Sequence, residues 1–162
     1  MYQRIMIPLD GSELAECVLP HVESIAKGCS APNVVFVRVV EPVHLPITAV
    51  SYGGPAFTGE DAATVRKELD EHNKTAAQEY LADIIKRSKY DGTTLQAEVI
   101  MGKPADSLAE YAEKQGVDLI LKATHGRSGV TRWVLGSVAD RIVHAASVPV
   151  LIVRAPGCMP GM

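Results

Sequence analysis

The stretch VDLILKATHGRSGVTRWVLGSVADRIV, Val117 to Val143, passes from a short apolar run to a helical segment through a long passage that resembles neither. VDLILKA (117–123) has the length and content of a strand, and Val138, Ile142 and Val143 recur at helical spacing. Between them, Ala123 to Ser137 hold three glycines, two threonines, two serines and two arginines. Small residues let a backbone come close to a ligand, hydroxyls and N–H groups donate hydrogen bonds, and arginine attracts negative charge. A phosphate suits that chemistry. A surface loop is the commoner origin of such a composition, and both readings stand at this point.

Working outward, four further apolar runs bounded by turn residues predict strands: RIMIPL (4–9), NVVFVRVV (33–40), TLQAEVIM (94–101) and VPVLIVR (148–154). Helical stripes lie between them: Leu14, Val18, Val22 and Ile25; then Val65, Leu69, Ala76, Tyr80 and Ile84; then Ala105, Leu108, Ala109 and Ala112; then Val138, Ile142 and Val143. Pro20 is expected to kink the first helix, because it removes a backbone donor. Alternating strands and helices imply a doubly wound α/β fold with a parallel sheet and helices on both faces. The third strand alternates apolar and polar residues as an edge strand would, whereas the first two are continuous and belong inside. In such sheets ligands bind beyond the carboxyl ends of the strands where the order reverses, which selects the segments after IMIPL and DLILKA.

The 162 residues read as one α/β domain over 1–155 followed by a tail, 156–162, whose Pro and Gly leave it no element to dock. Hydrophobic content of 47% is ordinary, and a net charge of −3 supplies no global attraction to nucleic acid or an anionic membrane, so neither is expected as a partner. Cys17, Cys29 and Cys158 form no C-x-x-C pair, and the first strand starts almost at Met1; a cytoplasmic protein is expected. Glu41 to Phe57 contains Pro42, Pro46, Gly53, Gly54 and Pro55 and is long for an α/β connection, a lid or a variable surface loop.

At the candidate site, Ser137 with Asp140 three residues later reads as a capping box, yet the same helix start offers N–H groups and a positive dipole end to an anion, and Gly136 has no side chain to exclude one. In PLDGSE, Asp10 with Glu13 is a second cap signal. An aspartate facing phosphates needs a cation or a ribose hydroxyl between them, so Mg²⁺ at Asp10 through water is the metal expectation, with no cage of protein side chains. The G-x-x-x-x-G-K-[ST] loop is absent, and the first strand–helix turn has no G-x-G-x-x-G.

KATHGRSGVTRWVLGSVADRIVHAASVPVLIV (122–153) and RIMIPLDGSE (4–13) resemble the carboxyl-terminal signature and the amino-terminal turn of the universal stress protein family. Its ATP-binding branch carries G-x2-G-x9-G-[ST]. Gly126, nine residues and Gly136-Ser137 match the second half, and Ala123 occupies the place of the first glycine. Lys122 stands where an apolar residue is usual, as an added phosphate partner or as a snorkelling surface lysine. The resemblance implies strand order 3-2-1-4-5 and bound ATP (or ADP or AMP) with Mg²⁺. It implies that Pro8, Leu9, Asp10 and Val39 hold the nucleoside, that Gly102 borders the ribose, and that Ala123, Gly126, Gly136, Ser137 and Val138 surround the phosphates with Arg127 and Ser128 nearby. It also implies a homodimer through Val150, Leu151, Ile152 and Val153, a pairing that would cover an otherwise aggregation-prone edge.

His125 reads as a base or, more simply, as a loop-bonded structural residue; His21, His44, His72 and His144 lack metal-ligand spacing. Trp133 could stack on a base or pack on its own helix, and Arg66 to Lys74 read as a solvated helix face. Three functions remain: a nucleotide-dependent regulatory module of the stress response, a nucleotide-free dimeric adaptor, and a slow ATPase. A dedicated enzyme is not expected.

Overall fold

A computed structural model describes residues 2–44, 59–124 and 137–154. Residues 45–57 of the proline- and glycine-rich connection, His125, Gly126, Arg127, Ser128, Trp133, Gly136 and the tail lie outside the described residues. The elements run β1 (Arg4–Pro8), α1 (Glu13–Glu16), α2 (Leu19–Cys29), β2 (Asn33–Val40), α3 (Gly59–Arg87), β3 (Thr94–Met101), α4 (Pro104–Lys114), β4 (Leu119–Thr124), α5 (Ser137–Ala145) and β5 (Val150–Arg154). The five strands form one parallel sheet in the order β3-β2-β1-β4-β5, as expected.

The continuous apolar runs follow from burial on both faces. Ile5, Ile7, Val34, Phe36, Leu119 and Leu121 pack with α2 and the end of α3, while Met6, Val35, Val37 and Ile120 face α4 and α5. Exposed Gln96 and Glu98 mark β3 as an edge, paired only through β2.

Three helical expectations are corrected. The first helix is not one kinked rod: α1 ends at Glu16, and Pro20 lies in the first turn of α2, where a helix needs no N–H from it. In α3, Val65, Leu69 and Ala76 are exposed, and the buried stripe is Ala77, Leu81 and Ile84. Length explains this. The 29 residues of α3 span about 43 Å, but the eight of β2 span about 26 Å, so the helix outruns the sheet that would bury it. In α5, Val143 is likewise exposed, and Ala139 and Ile142 carry the packing.

Gly102 closes β3 with its N–H donated to the Val40 carbonyl at 3.0 Å. Its φ of +151° disfavours any side chain, and a Cβ there would run into the Ser107 hydroxyl. Gly102→Ala is therefore expected to lower stability by about 1–3 kcal/mol. Urea unfolding would test this, and an unchanged midpoint would contradict it.

Candidate functional site

β1 is extended one residue beyond its end by Leu9, whose N–H donates to the Val37 carbonyl at 2.9 Å. The chain then turns through Asp10, Gly11 and Ser12. Gly11 has φ +86°, and a Cβ on it would stand 3.0 Å from the Arg38 guanidinium, so both the angle and the close approach call for glycine. Asp10 is not the helix cap. Its carboxylate accepts from the Ser12 hydroxyl at 2.6 Å and the Ser12 N–H at 3.0 Å, and Ser12 caps α1 by accepting from the Ala15 N–H at 3.1 Å. Burial pushes the Asp10 pKa up, but the Ser12 hydrogen bonds and the Lys122 ammonium together outweigh it and hold the group below its ordinary value. Asp10 is thus an anion in the folded protein at neutral pH.

The reversal of strand order falls between β1 and β4. A pocket opens at their carboxyl ends, on the side of the sheet covered by α4 and α5. Val37 and Val39 of β2, Leu108 of α4, Val138 of α5 and Leu14 of α1 give it apolar walls; Asp10, Lys122, Thr124 and Ser137 give it polar groups. Apolar walls with few convergent polar groups are the usual form of a small-molecule site. Ser137 opens a helix of nine residues, so that its N-terminus faces the same space as Asp10 and Lys122.

Seven of the residues expected at the site, Pro8, Leu9, Asp10, Val39, Ala123, Ser137 and Val138, line this pocket together. Gly102 is not among the lining residues; the next turn contributes Pro104 instead. Gly126, Arg127, Ser128 and Gly136 lie outside the described residues, and the capping role of Ser137 depends on that same junction. The Ala123 methyl packs into the core with Leu121 and Val153. Sequence reasoning missed Leu14, Val37, Pro104, Leu108, Thr124 and Ala139 as walls. Period-two alternation from Val39 points to Val37, but Leu14, Pro104 and Leu108 reach the pocket only through the packing of α1 and α4.

Lys122 is the main correction. It is no snorkelling surface lysine: only 9% of it is exposed, and it lies in the pocket wall on the face shared with Ile120. No hydrogen bond or ion pair joins it to another described residue; Asp10 is the described charge that acts on it. Burial pushes its amine below the ordinary lysine value, and the Asp10 carboxylate opposes that more weakly. At neutral pH the ammonium is charged in both folded and unfolded chains, so its burial lowers stability. As pH rises through the depressed folded pKa towards the unfolded value of about 10.4, the folded chain sheds its proton first and the penalty fades. Lys122→Met is expected to stabilise the ligand-free protein by about 1–3 kcal/mol near pH 7, with the advantage shrinking on the alkaline side. Thermal unfolding across that range checks both parts, and identical midpoints near pH 7 would contradict them.

Among the described residues, no three His, Cys, Asp or Glu side chains gather to hold a metal ion, and no helix is long and apolar enough to cross a membrane. Asp10 is the single carboxylate among the described pocket walls. The described donor set does not fit a protein-held divalent cation.

The universal stress protein family model matches residues 1–154 of this sequence. The chain belongs to the universal stress protein family. It is 33% identical over 157 residues to universal stress protein MJ0531 of Methanocaldococcus jannaschii, covering 96% of this chain and 84% of that one. The solved structure of MJ0577 from the same organism superposes with a TM-score of 0.71 at 26% identity, covering 95% and 96% of the two chains. An Arabidopsis thaliana universal stress protein family structure with AMP bound shares the fold, with a TM-score of 0.58, 14% identity and coverage of 94% and 91%. This universal stress protein carries its pocket at the point where its own sheet reverses strand order.

Proposed function

We propose that the protein binds an adenine nucleotide, ATP in the first place and brought by the cell as its Mg²⁺ complex, and acts as a nucleotide-dependent dimeric regulatory module of the stress response. The observation that carries this reading is the convergence of apolar walls, the Asp10 and Lys122 charges and the start of α5 in one pocket at the switch point. Val37 and Val39 offer a flat apolar surface for a base, Asp10 is an acceptor suited to ribose hydroxyls, and Ser137 with the helix amides faces phosphate. The AMP held by the Arabidopsis relative supports the same ligand class. Apolar surface with fixed charge makes a binding site, and the proposed role is regulatory, not catalytic; slow hydrolysis is compatible with it. The dimer is proposed through β5, an edge strand whose Leu151 is 41% exposed.

ATP is expected to raise the unfolding temperature in a concentration-dependent manner, and GTP less. No shift with any adenine nucleotide at millimolar concentration would move the assignment to the nucleotide-free adaptor.

A further inference from the structure

An aspartate that holds ribose hydroxyls still shares the pocket with the phosphates, and a positive charge between the two offsets their repulsion. The described residues gather no set of side chains to hold a divalent cation there, and Asp10 is the single carboxylate among the described walls. They do supply an ammonium. Lys122 is nine-tenths buried, has no hydrogen bond or ion pair to another described residue, and lines the same pocket as Asp10 and Ser137. Nothing in the packing of β4 asks for a charge at that position, since Ile120 on the same face is apolar and fully buried. A methionine would fill similar space without desolvating an ammonium. A buried charge with no hydrogen bond or ion pair to another described residue is best explained by a ligand that pairs with it.

We propose that Lys122 is a specificity-determining residue of this pocket, its ammonium standing between Asp10 and the nucleotide's phosphates in the role a divalent cation would otherwise fill, so that nucleotide binds without metal. The inference rests on the adenine-nucleotide reading and goes beyond it by naming the group that neutralises the phosphates. Lysine suits this role as a compact point charge able to serve both oxygens at once. Mg²⁺ then travels with ATP as a passenger, and its removal leaves the protein's own cation in place.

Calorimetric titration of ATP into wild type and Lys122→Met, each with Mg²⁺ and with EDTA, tests this. Wild-type affinity is expected to change less than about threefold between the two conditions, while Lys122→Met loses about tenfold or more in EDTA and recovers part of it with Mg²⁺. A wild type that needs Mg²⁺, or a folded Lys122→Met that binds in EDTA as tightly as wild type, would overturn the inference and leave the nucleotide reading intact. A wild type that binds ATP under neither condition would overturn the reading beneath it. Lys122→Gln, which keeps a polar end without the charge, is expected to follow Lys122→Met; binding like wild type would instead assign the lysine a neutral hydrogen-bonding role and contradict the proposal.

Discussion

Leu151→Glu is expected to convert the proposed dimer to a monomer while leaving the monomer folded. Among the described residues β5 pairs with β4 alone and stands at the edge of the sheet. Within one chain Leu151 is 41% exposed and Val150 and Ile152 are half-buried, whereas Val153 is buried, so a partner strand would cover the first three. A carboxylate placed in that seam would be buried without a partner in each half of the interface, at a cost of about 3–5 kcal/mol. Because the position is exposed in the single chain, circular dichroism should stay native. Sedimentation at micromolar concentration reads the result. A wild type that is already monomeric, or a Leu151→Glu protein that remains dimeric, would contradict the β5 interface.

Ser137→Asp is expected to separate ligand binding from folding. Ser137 is exposed, opens α5 and lines the pocket. Ser137 is the first residue of α5, and a negative charge in the first turn complements the helix dipole, so stability should hold or rise by about 0.3–1 kcal/mol. A phosphate at the same helix start would lose a charge-assisted hydrogen bond and meet a like charge. Together these effects amount to about 3 kcal/mol or more, or about a hundredfold in ATP affinity. A folded Ser137→Asp protein that keeps wild-type affinity would show that phosphate does not sit at α5.

The parts of the fold that were legible in the sequence are those that local chemistry decides. Continuous apolar runs in β1 and β2 announced strands buried on both faces, and the polar residues of β3 marked an edge. The full strand order came from the family resemblance, which the sheet bears out. α3 was misread because helical periodicity does not reveal where the sheet beneath a helix stops; Val65 and Leu69 keep the spacing of a buried stripe beyond the point where anything buries them. Asp10 was misread as a cap because Asp and Ser are interchangeable signals two residues apart, and only the hydrogen bond to Ala15 shows which one caps. Lys122 shows the limit at the site. Alternation along β4 sets it on the face of Ile120, but whether that face meets solvent or a pocket depends on α4 and α5, which the strand's own residues do not encode.

The central claim is that the pocket between Asp10, Lys122 and Ser137 is an adenine-nucleotide site. Titration calorimetry of the full chain with ATP, with nucleotide-free protein in the cell, tests it most directly. One saturable site per chain is predicted, with affinity lowered about a hundredfold by Ser137→Asp in a protein of unchanged stability. No saturable heat from folded wild-type protein at millimolar ATP, with no accompanying rise in its unfolding temperature, would contradict it.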